Sequence, residues 1–264
     1  MIPKIIHYCW FGRGPIPAYL QECIDSWKKI MPDYEIKCWN EDNFNVNSNL
    51  FCKEAYEKKK FAFVSDYVRV YSLYTEGGLY FDTDVKVVKK FDRFLDYNFV
   101  TAVEYHDDIF KQKNSLNLLD ENFKRINPNI MDVQGLGLLA AIMLSTPHQP
   151  ILKDVLEYYN SVPFILEDGG LNLVVSPAIY AAMCEKYGFR YKNETQIFFD
   201  KYLVLKNDIF AVKESFTNDS IAVHIGNGSW IDDVSFMNKI SRFMKKYKLT
   251  NHIYKTLKRL KANI

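Results

Sequence analysis

The sequence predicts an α/β fold with a largely parallel sheet flanked by helices, and three observations predict it. Strand-like and helix-like patterns alternate through the first hundred residues, as βαβ units require. The 264 residues are 48% hydrophobic and 25% charged, with only 11 Gly and 9 Pro, which suits a chain that buries a substantial core. No apolar run approaches the roughly 20 residues of a membrane-spanning helix; the longest, LGLLAAIML, reaches about half that.

PKIIHYCWF (3–11) reads as a buried first strand ending in the loop GRGPIP. Over 17–31, Leu20, Cys23, Ile24, Trp27 and Ile30 recur at helical spacing before Pro32. YEIKCWN (34–40) alternates as a second strand, and an Asn-rich loop leads to a short helix near 50–59. FAFVSDYVRVYSLYT (61–75) is apolar nearly all round, the mark of a buried helix, and Gly77-Gly78 stops it. GGLYFDTDV (77–85) reads as the next strand, and alternation puts Asp82 and Asp84 side by side on one of its faces. FVTAVEY (99–105) is another strand, whereas 106–130 is polar and reads as an irregular, mobile loop. QGLGLLAAIML and helices around 149–160 and 173–187 build the second half, IFFDKYLVL and SIAVHIG are late strands, and the C-terminal stretch is helical. Without a repeat or a linker, residues 1–233 read as one domain and 234–264 as a basic tail.

That tail carries nine basic residues from Lys239 to Lys261 and no acid after Asp233, while the rest of the chain holds 25 basic against 32 acidic residues. It reads either as a solvated helical face or as a segment held against an anionic membrane surface, where each basic residue adds roughly 1 kcal/mol. Nucleic acid is not an expected partner, because the larger part is acidic and lacks a basic-aromatic strip. The N-terminus MIPKIIHYCW lacks a signal-peptide pattern, and five cysteines without CxxC spacing point to reduced thiols rather than a disulfide framework. The expected location is therefore the cytoplasm, with a peripheral position at the inner face of the membrane.

Two features carry chemistry. On the buried helix the only charges are Asp66 and Arg69, at i,i+3 and so on one face. They form either a structural ion pair or a polar face open to a ligand. The Asp82/Asp84 pair on a mostly apolar strand repels itself unless it shares a proton, sits solvated at an edge, or holds a hard cation.

The string SDYVRVYSLYTEGGLYFDTDV resembles the sugar-binding signature of family 32 glycosyltransferases. These include the yeast initiating α-1,6-mannosyltransferase and bacterial capsule enzymes. The string is also similar to the catalytic domain of the large clostridial glucosylating toxins. IPKIIHYCWFG, SWKKIMPDYEIKCWNED and VHIGNGSW agree with the same groups in the same order, so the resemblance covers nearly everything but the tail. It implies a GT-A fold, a Rossmann-like nucleotide-binding sheet with flanking helices, a Mn²⁺ or Mg²⁺ ion, a nucleotide-sugar donor and a retaining hexosyl transfer. It further implies that Trp10 stacks on the donor base and that Asp66 and Arg69 hold sugar hydroxyls and a phosphate oxygen. Asp82 would lie near ribose, sugar and metal, with Asp84 and His224 as metal ligands. Ser229 and Trp230 would close over the diphosphate, and Gln134 would sit beneath the sugar. A UDP-sugar is the favoured donor through Trp10, with GDP-mannose second. The acceptor class is a glycan or lipid-linked saccharide of surface polysaccharide synthesis.

Other classes fit less well. A nucleotidyl or phosphoryl transferase would want a glycine-rich phosphate loop with lysine, and GRGP at 12–15 is too short. A glycosidase would set its carboxyl groups ~5 to 9 Å apart across the sugar rather than two residues apart. A non-catalytic sugar- or metal-binding module remains the alternative to an enzyme.

Overall fold

Ile5–Cys9 (β1) is the pivot of the main sheet: it pairs in parallel with Glu35–Trp39 (β2) on one side and with Gly78–Phe81 (β3) on the other. The crossover to β2 runs through Ala18–Ile30 (α1), whose buried Leu20, Cys23, Ile24 and Trp27 form the apolar stripe that its spacing predicts. Leu50–Glu57 (α2), capped by the Asn49 side chain accepting from the Cys52 amide at 3.0 Å, and Phe61–Glu76 (α3) lead to β3. This computed structural model describes residues 1–226 of the chain.

Gly77 and Gly78 turn α3 straight into β3 at φ 68° and 103°, a region closed to most side chains. A Cβ on Gly78 would stand 2.6 Å from the Ile5 carbonyl, so only glycine lets β3 lie against β1 here.

The sheet continues through Phe99–Tyr105 (β5), Leu136–Leu138 (β6), Ile142–Ser145 (β7), Gln196–Phe198 (β8) and Tyr202–Leu205 (β9), in the order β2-β1-β3-β7-β5-β9-β8, with β6 also on β5. A second sheet joins Val85–Val87 (β4), Phe210–Val212 (β10) and Ala222–His224 (β11) in the order β10-β11-β4. Strand alternation divides the core in two. Tyr80, Phe99, Val103, Met143, Tyr202 and Val204 face α2, α3, Pro150–Ser161 (α5) and Ser176–Cys184 (α6). Leu79, Phe81, Val100, Ile142, Leu144 and Leu203 face α1 and the small sheet. Four of the five cysteines are buried and none is in a disulfide.

Four sequence expectations need correction. The main sheet is mixed rather than largely parallel, because β7 runs antiparallel to both β3 and β5; an all-apolar run such as LGLLAAIML does not reveal strand direction. The segment 77–85 is not one strand: β3 ends at Phe81, the chain turns, and β4 joins the other sheet. Residues 106–130 are not wholly irregular, since they hold Asp107–Gln112 (α4), whose first turn carries Asp107 and Asp108, and a 3₁₀ turn at Ser115–Leu118. Arg125 ties this region down, pairing with Glu185 at 3.1 Å and donating to the Pro128, Ile130 and Ala182 carbonyls. IFFDKYLVL is the hairpin β8–β9, reversed through left-handed Phe199 and Lys201. The expected basic helical tail lies outside the described residues.

Candidate active site

The strand order reverses at β1: α1 carries the chain to one side of it, and α2 with α3 brings it back to the other. In open α/β sheets the crevice at the carboxyl ends of strands flanking such a reversal is where ligands bind. Trp10 follows the end of β1 and Asp82 follows the end of β3, so both stand at that edge.

The turn after β3 brings the two aspartates together. The Asp82 amide donates to the Ala141 carbonyl at 3.0 Å, and the Val85 amide closes the turn onto the Asp82 carbonyl. Ala141 belongs to the break between β6 and β7, where buried Thr101 donates its hydroxyl to the Leu139 and Ile142 carbonyls at 2.7 and 3.1 Å. Thr101 therefore ties both ends of the break to β5, and the break anchors the aspartate turn through the Ala141 carbonyl. On the far side, β11 lies antiparallel to β4 with His224 opposite Val85, and the Ile225 amide donates to the Asp84 carbonyl.

Asp82, Asp84 and His224 each offer a ligand atom, and these atoms all lie within 4.8 Å of one another. Two hard carboxylates and one imidazole suit Mn²⁺ or Mg²⁺. The His224 Nε2 pairs with Asp84 Oδ1 at 3.2 Å. Burial alone would lower the imidazole pKa, but Asp84, with Asp82 and Glu104 behind it, raises it to about 9. The donor set thus fits a cation by both chemistry and charge.

Beside it, Arg69 on α3 is buried and joins the two aspartates Asp66 and Asp82. Its Nη2 lies 2.9 Å from Asp82 Oδ1 and 3.2 Å from Asp66 Oδ1, and its guanidinium stacks over Tyr80 at 4.8 Å. Tyr80, two residues before Asp82 on the same face, donates its hydroxyl to Asp82 Oδ1 at 3.1 Å. Burial pushes the Asp66 carboxyl up to about 6 against the pull of Arg69 and the nearby Ser176 hydroxyl.

Around this group Arg69 Nε and Tyr180 OH are buried without a hydrogen bond among the described residues, while Ser176 lies between Asp66 and Tyr159 and interacts with both. Each such atom costs about 1–3 kcal/mol unless water or a ligand meets it. A polar ligand beside Asp66 fits them.

The remaining expected residues are placed as follows. Trp10 is half-buried, its indole N–H donating to the Gly14 carbonyl at 2.6 Å, and no other aromatic ring among the described residues packs on it. Gln134 is exposed; its carbonyl accepts from Ser115, and its side chain makes no hydrogen bond with the Asp66–Arg69–Asp82 group. Ser229 and Trp230 lie outside the described residues.

Sequence reasoning missed Glu104 and His106, paired at 3.3 Å on β5 and the residue after it, with Glu104 raising the His224 pKa. It also missed Tyr80, Tyr159 and Tyr180. Only Tyr80 had a readable signal, its two-residue spacing from Asp82.

Residues 17–101 match the family described as a glycosyltransferase sugar-binding region containing a DXD motif, a span that holds Asp66, Arg69, Asp82 and Asp84. No curated protein matches the sequence. Among solved structures the chain is similar to PaToxG glycosyltransferase, at 16% identity over 70% of this chain and 69% of that one, with a TM-score of 0.45. It is similar to galactosyltransferase LgtC bound to donor and acceptor sugar analogues, at 11% identity over 96% and 99% of the two chains and a TM-score of 0.44. It is also similar to mouse xyloside xylosyltransferase 1, at 12% identity over 86% and 99% and a TM-score of 0.45. The motif-bearing match supports a glycosyltransferase.

Proposed function

We propose that the protein is a metal-dependent, retaining glycosyltransferase that moves a hexose from a nucleotide-sugar to a hydroxyl of a glycan or lipid-linked acceptor. The observation that carries the reading is the convergence of Asp82, Asp84 and His224 at the carboxyl edge of the sheet, with Asp66 and Arg69 beside them. Asp82, Asp84 and His224 would hold the ion. When bound, a divalent cation neutralises charge on a diphosphate.

This chain's residues do the rest. Arg69, fixed by Asp82 and Asp66, presents a buried positive charge to the departing phosphate. Asp66 accepts hydrogen bonds from donor-sugar hydroxyls and so orients the anomeric carbon. Trp10, with its N–H held by Gly14, offers its ring to the base. As the acceptor oxygen bonds to the anomeric carbon, the bond to the phosphate oxygen breaks, its electron pair leaves on the diphosphate, and the acceptor proton passes to that oxygen. Attack from the leaving-group face keeps the α configuration without an enzyme nucleophile.

A UDP-sugar is the favoured donor and GDP-mannose the alternative, in the synthesis of a surface polysaccharide. The test is thermal stabilisation by UDP and GDP, with and without Mn²⁺, beside Asp84→Ala. A shift with one nucleotide that needs both Mn²⁺ and Asp84 is expected and selects the donor. No shift with either would leave a binding module with a structural aspartate turn.

A further inference from the structure

A cleft of about 640 Å³ opens between residues 129–134, ahead of β6, and residues 166–175, ahead of α6. Its wall is apolar and faces solvent: Ile130, Leu166, Leu173 and Val175 are 39% to 56% exposed. Single exposed apolar residues are ordinary; here four line one concavity, a surface able to take a small apolar group. Among the described residues Asp132 is the only ionisable side chain lining it. Asp132 is exposed and makes no hydrogen bond or ion pair with any described residue. Gln134 lines the same rim.

One wall of the cleft leads directly into the candidate active site through the start of α6. Val175 is the N-cap of α6, and the next residue, Ser176, stands against Asp66. Gly137 of β6 packs so closely on Pro177 of α6 that a Cβ there would lie 2.8 Å from it, so the strand after one wall lies against the helix after the other.

We propose that this cleft is the acceptor subsite, and that it takes a neutral glycoside bearing an apolar group. Asp132 and Gln134 accept and donate hydrogen bonds to the acceptor's hydroxyls, while Ile130, Leu166, Leu173 and Val175 cover its apolar portion. A neutral occupant follows from the lining, where among the described residues the one charge is negative and no cation is present to meet an anion. The assignment rests on the transferase reading.

The test is calorimetric titration of the full chain, with Mn²⁺ and UDP or GDP present, using octyl β-D-glucoside and octyl β-D-galactoside below their micellar concentrations. The free hexoses and a sugar-free octyl tetraethylene glycol ether serve as controls. One octyl glycoside is expected to bind about tenfold or more tighter than its free sugar and than the ether, since both the hydroxyls and the buried alkyl chain contribute. Leu173→Asp, at an exposed position, should weaken that binding about tenfold and leave nucleotide binding unchanged. Asp132→Ala should erase the advantage of the glycoside over the ether. Equal binding of glycoside and ether, or of wild type and Leu173→Asp, overturns the assignment while Mn²⁺-dependent nucleotide binding keeps the transferase reading. Absence of that nucleotide binding overturns both.

Discussion

At the scale of single residues, the site is a set of charges whose costs depend on one another. Asp66 has a folded pKa of about 6 against an ordinary 3.8, so the fold prefers its protonated form. Its contribution is greatest below pH 3.8 and declines as pH rises through 6, a sign opposite to that of a salt-bridged surface acid. Asp66→Asn should therefore match or exceed the wild type in melting temperature at pH 8 in donor-free protein. Hexose transfer should fall by about a hundredfold because the sugar is no longer oriented. A melting temperature well below wild type would show that Asp66 serves packing. His224 behaves in the same direction over a higher range. Its pairing with Asp84 stabilises metal-free protein fully below pH 6.5 and is lost as pH rises through about 9. The span corresponds to about 2 kcal/mol once its partial exposure is allowed for. Chelated wild type should lose melting temperature across that window and His224→Gln should not; excess Mn²⁺, which competes with the proton, should reverse the slope.

At the scale of elements, the aspartate turn is held by its neighbours more than by its own sequence. Thr101 meets the Leu139 carbonyl of the break between β6 and β7 and the Ile142 carbonyl that opens β7, and the break presents the Ala141 carbonyl to the Asp82 amide. Thr101→Val keeps the volume and leaves those carbonyls unpaired, at about 1–3 kcal/mol. The expected loss is roughly 5 °C in melting temperature, with a weaker Mn²⁺-dependent nucleotide shift than wild type. Unchanged nucleotide affinity at full occupancy would mean the turn holds its shape without the break. Helices were the most legible elements. Leu20, Cys23, Ile24 and Trp27 marked α1 by spacing alone, and Gly77-Gly78 marked the end of α3, because helix periodicity and glycine stops are local properties. The strand from 77 to 85 was misread because alternation runs unbroken through a turn whose partners lie more than fifty residues away in the chain.

At the scale of the whole molecule, the charge asymmetry of the sequence carries a further prediction. The nine basic residues from Lys239 to Lys261 would add to membrane attraction only if the segment lies on an anionic surface. Removing residues 235–264 should release the protein from anionic vesicles at about 0.1 M salt, where the Debye length is about 10 Å; co-sedimentation that persists after the deletion would remove the membrane role. Among the described residues no helix is long and apolar enough to cross a membrane.

What the sequence by itself determined is the alternation of strands and helices, the buried helix with its Asp66–Arg69 pair, and the aspartates next to it. Those follow from periodicity, glycine stops and charges placed on apolar elements, all of which are local. Only the tertiary structure decided that β7 runs antiparallel between β3 and β5, that Asp82 and Asp84 flank a turn between two sheets, and that His224 meets them from β11. It also decided which polar side chains gather around Asp66, and that Asp132 lines an apolar cleft. Such facts depend on which distant segments pack together, and burial, the quantity that sets the cost of each charge, exists only once they do.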